Sequence, residues 1–347
     1  MQQITPPTKS PKRIQYLDTL RVLACFLVVL VHSPHPHDFI QENYVYGIIS
    51  YLSSPCIGLF LMISGALLLP MKYSIKTFLT RRLTRIVFPL IFWSVVYIIL
   101  AYLTGNLTTA DVFVEFIEIP FNSVKFFFTS WYLYVIIGLY LFIPIFNSFI
   151  SNNGEKHAKY FLYIWGITLC YPYILAIVGS IDDRTLLLFS GYFGYMVLGY
   201  YLHNYPLKVT SSIDWIKITA CVIVISIILP AVMYFSDIQG YDVNSNIIFN
   251  YLSISTVAMC VFIYIIAQKI SYTLCFQKII SHIADKTFGI FLVNYAFIHY
   301  LFRPYFVENP MSNVMSEIGI TFIGSLLLSY LVVLTLERLP FKRYLIG

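Results

Sequence analysis

Three ionisable residues stand within the first long apolar run of the sequence, at Asp18, Arg21 and His32. A helix advances about 100° per residue, so the step from Arg21 to His32 returns to nearly the same face, roughly 16 Å further along the axis. Ionisable groups inside a membrane span normally face a bundle interior or a wet cavity. The spacing therefore predicts a polar stripe that crosses most of the membrane and ends in an imidazole.

The imidazole of His32 suits proton transfer, because it titrates near physiological pH and can accept the proton of an attacking hydroxyl. His32 is therefore a candidate general base, and we expect contacts with Arg21 and Asp18 to orient it. A simpler interpretation is that Asp18 and Arg21 form an ion pair near one interface while His32 reaches toward the other. The residues alone leave both interpretations open.

A basic segment, KYSIKTFLTRRLTR, occupies residues 72–85. Arg82 and Arg85 are one helical turn apart beside Arg81, and we expect them at the start of a helix that begins near Ile86. Guanidinium groups and free backbone N–H groups at a helix start bind phosphate, which predicts a phosphate-bearing donor. Anchoring at the membrane surface explains the same arginines equally well.

The cluster HSPHPH places His32, His35 and His37 close together in sequence. Pro34 and Pro36 break the helical spacing that metal ligands need, and no cysteine stands within the cluster. We therefore predict no metal site. The six cysteines are scattered without paired spacing, which is typical of small buried residues and not of a disulfide framework.

The composition indicates the class of element that must position these groups. Hydrophobic residues make up 59% of the chain and charged residues 11%, which excludes an ordinary soluble core. The apolar runs reach the roughly 20 residues that a helix needs to cross a bilayer, and they are continuous where a barrel strand would alternate. We predict an all-α polytopic membrane protein.

Ten transmembrane helices are expected from these runs. The predicted spans cover about 14–34, 46–69, 86–103, 131–150, 160–180, 185–202, 214–235, 247–268, 284–302 and 316–336. The long connection between them, 104–130, carries Asp111, Glu115 and Glu118 on one helical face, a pattern typical of an interfacial amphipathic segment.

The distribution of basic residues gives the ten spans a direction. With the N-terminus in the cytoplasm, nearly all Lys and Arg fall on that side, and only Lys125, Arg184 and Arg303 fall outside. An odd number of spans would scramble this sorting, so both termini are expected in the cytoplasm. The predicted layout is a cytoplasmic tail at 1–13, a single transmembrane domain at 14–338 and a cytoplasmic tail at 339–347.

Several motifs, taken in order, resemble the integral membrane acyltransferases of the acyltransferase-3 type, which O-acylate cell-surface carbohydrates. They are YLDTLRVLACFLVVLVH, LFLMISGALLL, FLTRRLTRIVFPLIFW, SWYLYVIIGLYLFIPI, GYFGYMVLGYYL and SHIADKTFGIFLVNYAFIH. The resemblance covers essentially the whole chain. Its short length, with no appended extracytoplasmic domain, is similar to the subgroup that contains the enterobacterial common antigen O-acetyltransferase.

The resemblance implies an acyl-CoA donor, usually acetyl-CoA, that enters from the cytoplasm with its phosphates near Arg82 and Arg85. It also implies an extracytoplasmic carbohydrate hydroxyl as acceptor, a bacterial cytoplasmic membrane and no nucleic-acid partner. His32 and Arg21 match the catalytic motif of the family. We include Arg81 and Ser64 among the donor-binding candidates, although small-residue packing is the simpler interpretation of Ser64.

One position departs from the family pattern. The family often has a histidine where FLVNY places Asn294, and His299 follows one turn and a residue later. A rival interpretation from another class is a saccharide exporter or small-solute transporter without acyl transfer. No inverted repeat or matched pair of broken helices favours it.

Overall fold

A computed structural model describes residues 13–34, 43–151, 153–178, 191–228, 231 and 250–347. Throughout this part of the chain the regular structure is helical. The helices of the first half are α1 Gln15–His32, α2 Asn43–Ser53, α3 Pro55–Leu68, α4 Ile75–Leu103, α5 Thr109–Glu118, α6 Trp131–Ser151 and α7 Gly154–Val178. Those of the second half are α8 Phe193–Asn204, α9 Ser212–Ile223, α10 Ile254–Lys269, α11 Leu274–Ala284, α12 Thr287–Phe297, α13 Arg303–Glu308, α14 Val314–Leu336 and α15 Lys342–Leu345.

Five helical stretches among the described residues are long and apolar enough to cross a membrane. They are Gln15–His32, Gly47–Leu68, Ile75–Leu103, Phe128–Ser151 and Val314–Leu336. The chain is therefore a multi-pass membrane protein, while ten spans and cytoplasmic termini stay predictions. Parts of the predicted spans 185–202, 214–235 and 247–268 lie outside the described residues, as do residues 1–12, His35, His37 and Arg184.

The span predicted at 46–69 is confirmed at Gly47–Leu68. A one-residue break at Ser54 divides it into α2 and α3, because Pro55 lacks a backbone N–H and starts a new helix. One predicted boundary is wrong, and it has a local cause. The helix predicted from Ile86 begins a full three turns earlier, at Ile75, where the Ser74 hydroxyl accepts a hydrogen bond from the Thr77 amide. The arginines therefore lie inside α4.

The connection after α4 contains the predicted amphipathic helix, now bounded as α5. Thr108 and Asp111 form a reciprocal capping box at its start, with the Thr108 amide 2.9 Å from the Asp111 carboxylate. Phe113 is 69% exposed and Ile117 is 56% exposed. An apolar face without protein cover is what an interfacial helix presents to lipid.

Helix α1 runs beside α12 in the same direction. At their first ends, Arg13 donates hydrogen bonds to Asp285 just before α12. At their far ends, Arg303 donates to the His32 carbonyl over 3.3 Å. The polar stripe of α1 therefore lies beside α12 from one end of the helix to the other.

Helix α14 packs against α12 in the opposite direction. Lys286 bonds Glu337 at one end, at 2.5 and 2.6 Å, and the Gly324 position lies against the Phe302 ring at the other. Lys286 is almost fully buried, so its ammonium group depends on the Glu337 carboxylate. This ion pair fixes the start of α12 against the end of α14.

Close contact between α3 and α8 depends on two glycines. A Cβ added at Gly65 would lie 1.8 Å from the Met196 carbonyl oxygen, and one at Gly199 would lie 2.0 Å from the Met62 carbonyl oxygen. Such approaches of backbone to backbone are typical of small residues between membrane helices. Gly65 and Gly199 are therefore packing positions.

We predict that Gly65→Ala lowers the stability of the detergent-purified protein by about 1–3 kcal/mol, because the Met196 backbone cannot move aside. Thermal unfolding followed by size-exclusion chromatography measures the effect. Gly138→Ala is the matched control, since a Cβ there meets nothing within 4 Å and alanine favours a helix by up to about 1 kcal/mol. Equal melting temperatures for the two variants would contradict the prediction.

Candidate functional site

The buried carboxylate of Asp18 organises the first end of α1. Its side chain is only 2% exposed and accepts hydrogen bonds from Arg13, from Arg21 Nη1 at 3.1 Å and from Ser281 Oγ at 3.2 Å. Two guanidinium groups and a hydroxyl compensate the cost of burying the charge. The ion pair between Asp18 and Arg21, which was part of the simpler interpretation of these residues, is present.

Arg13 extends this network to the start of α12. It donates to Asp285 at 2.9 and 3.1 Å and to the Ser281 carbonyl at 2.7 Å. Hydrogen bonds to Asp285 and Asp18 raise the pKa of the Arg13 guanidinium above its ordinary value. The permanently charged Arg13 therefore fastens α1 to the segment between α11 and α12.

Three cavities lie around the basic end of α4, and Arg82 lines all of them. We call the first the mouth cavity: it measures about 590 Å³ and is lined by Tyr73, Phe78, Arg81, Arg82, Arg85 and Arg343, together with Gly347. The second, the side cavity, measures about 650 Å³ and contains Arg13, Arg21, Lys72, Arg82 and His203 in its wall. The third, the inner cavity, measures about 400 Å³ and contains Arg21, Ser64, Arg82, Arg85, Tyr132 and Phe291 in its wall.

The structure thus brings most of the predicted residues together. Arg21 from α1 and Arg82 and Arg85 from α4 line one cavity with Ser64 from α3. The Ser64 hydroxyl donates to the Phe60 carbonyl at 3.0 Å, and its oxygen keeps lone pairs for another donor. A cavity wall with three guanidinium groups attracts anions.

The expected helix start at the arginines is wrong, because α4 begins at Ile75. Backbone N–H groups at Arg82 and Arg85 are used within the helix, so any anion here must be held by side chains. Arg85 Nη2 donates to the Gly347 carbonyl at 2.7 Å, and the Arg81 guanidinium lies 5.1 Å from the centre of the Tyr73 ring. These contacts orient two of the three guanidinium groups.

At the far end of α1, His32 lies among aromatic rings. Its ring centre is 5.6 Å from that of Tyr295 and 5.9 Å from that of Phe128, both edge-on. Within the described part of the chain, its ring nitrogens have no hydrogen-bond partner, and Arg303 bonds its backbone carbonyl. No side chain of the described residues therefore occupies the ring nitrogens of His32.

Asp18 and Arg21 do not orient His32 as the sequence suggested. Arg21 and His32 are eleven positions apart in α1, which is roughly 16 Å along the helix axis. The side chains of Asp18 and Arg21 cannot reach His32 over that distance. Asp18 instead bonds Arg13, Arg21 and Ser281. Tyr295 and Phe128 are the side chains that hold the imidazole.

Helix α12 and its continuation carry a second stripe that sequence analysis missed. Phe291, Tyr295, His299 and Arg303 follow one another at i,i+4 spacing, so they lie on one face. Tyr295 stacks on His299, with 5.5 Å between the ring centres, and the Arg303 guanidinium lies 5.6 Å from the centre of the Tyr295 ring. The i,i+4 spacing was the available signal, but aromatic residues at helical spacing are usual in any membrane helix.

One helical turn of aromatic residues separates the inner cavity from His32. Phe291 lines the cavity and lies 5.6 Å from Tyr132, ring centre to ring centre, while Tyr295 one turn later contacts His32. Asn294 is fully buried, and its Nδ2 donates to the Ile290 and Phe291 carbonyls, while its Oδ1 has no hydrogen-bond partner among the described residues.

No cluster of three or more His, Cys, Asp or Glu side chains with a geometry suited to a metal occurs within the described ranges. The predicted tail at 339–347 is not free: Trp93 Nε1 donates to the Leu345 carbonyl at 2.9 Å. This contact and the bond from Arg85 to Gly347 hold the segment against α4.

We predict that Asp18→Ala destabilises the protein by about 1–3 kcal/mol, because it removes the acceptor shared by Arg13, Arg21 and Ser281. Thermal unfolding in detergent is the measurement. The control is Glu155→Ala, which breaks an exposed pair with Lys159 at 2.8 Å and should cost at most about 0.5 kcal/mol. A smaller loss for Asp18→Ala than for the control would show that the network does not hold α1.

Comparison with known proteins adds one finding. The sequence model of the acyltransferase-3 family, described as an acyltransferase domain, matches residues 14–334. No curated protein and no solved structure matches the chain.

Proposed function

Because the chain belongs to the acyltransferase-3 family, we propose that this acyltransferase transfers an acyl group, in the first instance acetyl, from cytoplasmic acyl-CoA to a hydroxyl of a cell-surface or lipid-linked carbohydrate. The proposal includes a bacterial cytoplasmic membrane, about ten spans and both termini in the cytoplasm. Family membership makes the protein an enzyme, so transport without acyl transfer is not proposed. Acetyl is the first acyl group to test, because the resemblance of the sequence motifs implies acetyl-CoA as the usual donor.

The observation that carries the proposal is the separation of two kinds of chemistry along α1. Arg21 and the α4 arginines line cavities at one end, and the ring nitrogens of His32 are free of described partners at the other. Positive cavities suit the phosphates of a CoA donor. A neutral imidazole among aromatic rings suits proton transfer from a hydroxyl.

The donor fits the described residues in two respects. The inner cavity combines guanidinium groups near Arg82 with apolar and aromatic walls at Phe60, Tyr132 and Phe291, which suits a chain that is charged at one end only. Ser64 offers a hydroxyl along the same wall. In this proposal the phosphates stay with the arginines and the thioester lies toward His32.

The reaction needs one proton carrier. His32 accepts the proton of the acceptor hydroxyl as the hydroxyl oxygen attacks the thioester carbonyl carbon. The carbon–sulfur bond breaks, and the leaving thiolate takes the proton from the imidazolium. In the other route His32 first accepts the acyl group on a ring nitrogen and then passes it to the hydroxyl. Both routes require an imidazole nitrogen without a protein partner.

We predict that His32→Ala reduces acetyl transfer by about 100-fold or more, because no other group is proposed to accept the proton. The measurement is incorporation of radiolabel from acetyl-CoA into carbohydrate in membranes that contain the protein. His282→Ala is the control, since His282 bonds Tyr330 at 2.9 Å and lines none of the three cavities. Normal incorporation by His32→Ala would refute the assignment, and label uptake without incorporation would refute the proposed function.

A second variant tests the donor end. Arg82→Ala should raise the KM for acetyl-CoA by about tenfold, because Arg82 lines all three cavities and a charge-assisted hydrogen bond is lost. Lys76→Ala is the control, because Lys76 lies on the same helix, is exposed and lines none of the three cavities. Its KM for acetyl-CoA should equal that of the wild type. Equal KM values for the two variants would remove Arg82 from the donor site.

A further inference from the structure

The C-terminal segment supplies a side chain to the mouth cavity. Helix α15 is held against α4 by the bond from Trp93 to the Leu345 carbonyl, and the Tyr344 ring lies edge-on to Phe88 at 4.9 Å between ring centres. Arg85 bonds the Gly347 carbonyl two residues beyond the helix. Arg343, inside this segment, lines the mouth cavity. The segment therefore belongs to the wall of the site.

The mouth cavity is lined by four guanidinium groups and by no acidic side chain; Gly347, the last residue of the printed sequence, also lies in its wall and places a main-chain oxygen at Arg85. The guanidinium groups are those of Arg81, Arg82, Arg85 and Arg343. All four groups carry the same positive charge, so they repel one another across the cavity. Like charges gathered around one space are stabilised by an anion between them, and guanidinium groups match phosphate oxygens in a bidentate way.

The four arginines divide into two pairs by the cavities they line. Arg82 and Arg85 line both the mouth cavity and the inner cavity, whereas Arg81 and Arg343 line the mouth cavity alone. In coenzyme A the pyrophosphate joins the thioester arm to the adenosine, and the 3′-phosphate lies on the side away from the thioester. A donor with its thioester arm in the inner cavity therefore places its pyrophosphate at Arg82 and Arg85. Its 3′-phosphate then lies at Arg81 and Arg343.

We propose that Arg343, together with Arg81, binds the 3′-phosphate of the acyl-CoA donor, so that the enzyme selects acetyl-CoA over acetyl-dephospho-CoA. This inference rests on the proposed function, since it concerns the donor of the same reaction. It assigns donor selection to the C-terminal segment.

The test compares two donors and two neighbouring substitutions. The wild type should use acetyl-CoA with a kcat/KM about tenfold above that for acetyl-dephospho-CoA, because one charge-assisted contact to phosphate is missing in the second donor. Arg343→Ala should bring this ratio close to one. Lys342→Ala, next in the chain but outside the cavity wall, should keep the wild-type ratio. Arg343→Lys should fall between them, because an ammonium group cannot form the bidentate contact.

The same preference is measurable without any substitution. Adenosine 3′,5′-bisphosphate should inhibit the wild type at about one tenth of the concentration that 5′-AMP requires. Equal inhibition by the two nucleotides, equal use of the two donors by the wild type, or an unchanged donor ratio in Arg343→Ala would each overturn the inference while leaving acyl transfer intact. A wild type that uses neither donor would instead overturn the proposed function.

Discussion

Burying a carboxylate is costly unless cationic groups compensate its charge, and Asp18 has Arg13 and Arg21 in that position. The cationic partners of Asp18 also attach α1 to a neighbouring helix. Arg13 also binds Asp285, so the start of α1 cannot move relative to the start of α12. Because both helices are rigid, the attachment through Arg13 also determines which residue of α12 contacts His32 at the other end of α1. That residue is Tyr295.

The two ends of α1 differ in electrostatic character, and the difference suits a reaction whose substrates arrive from opposite sides. Guanidinium groups gather around the cavities near Arg21, whereas the surroundings of His32 are aromatic. Phe291 and Tyr295 occupy the turn between them. Aromatic rings at that turn would keep water away from a thioester in the proposed reaction and so protect it from hydrolysis.

The sequence predicted what helical periodicity alone controls and missed what depends on tertiary contacts. The spacing of Asp18 and Arg21 placed their ion pair correctly, and the apolar runs gave the positions of α6 and α14 closely. The start of α4 was missed because lysine and arginine are good helix formers that also suit a surface loop. The Tyr295 contact with His32 joins residues more than 260 positions apart, and no local pattern reports such a pair.

The C-terminal segment shows why a polar end should not be equated with a free tail. Its backbone carbonyls accept bonds from Trp93 and Arg85, so the docking depends on main-chain geometry that composition does not encode. Arg85 takes part in that docking and lines the mouth cavity and the inner cavity as well. The same guanidinium therefore holds Arg343 at the mouth cavity and contributes charge to it, which couples the shape of this cavity to the position of the last residues.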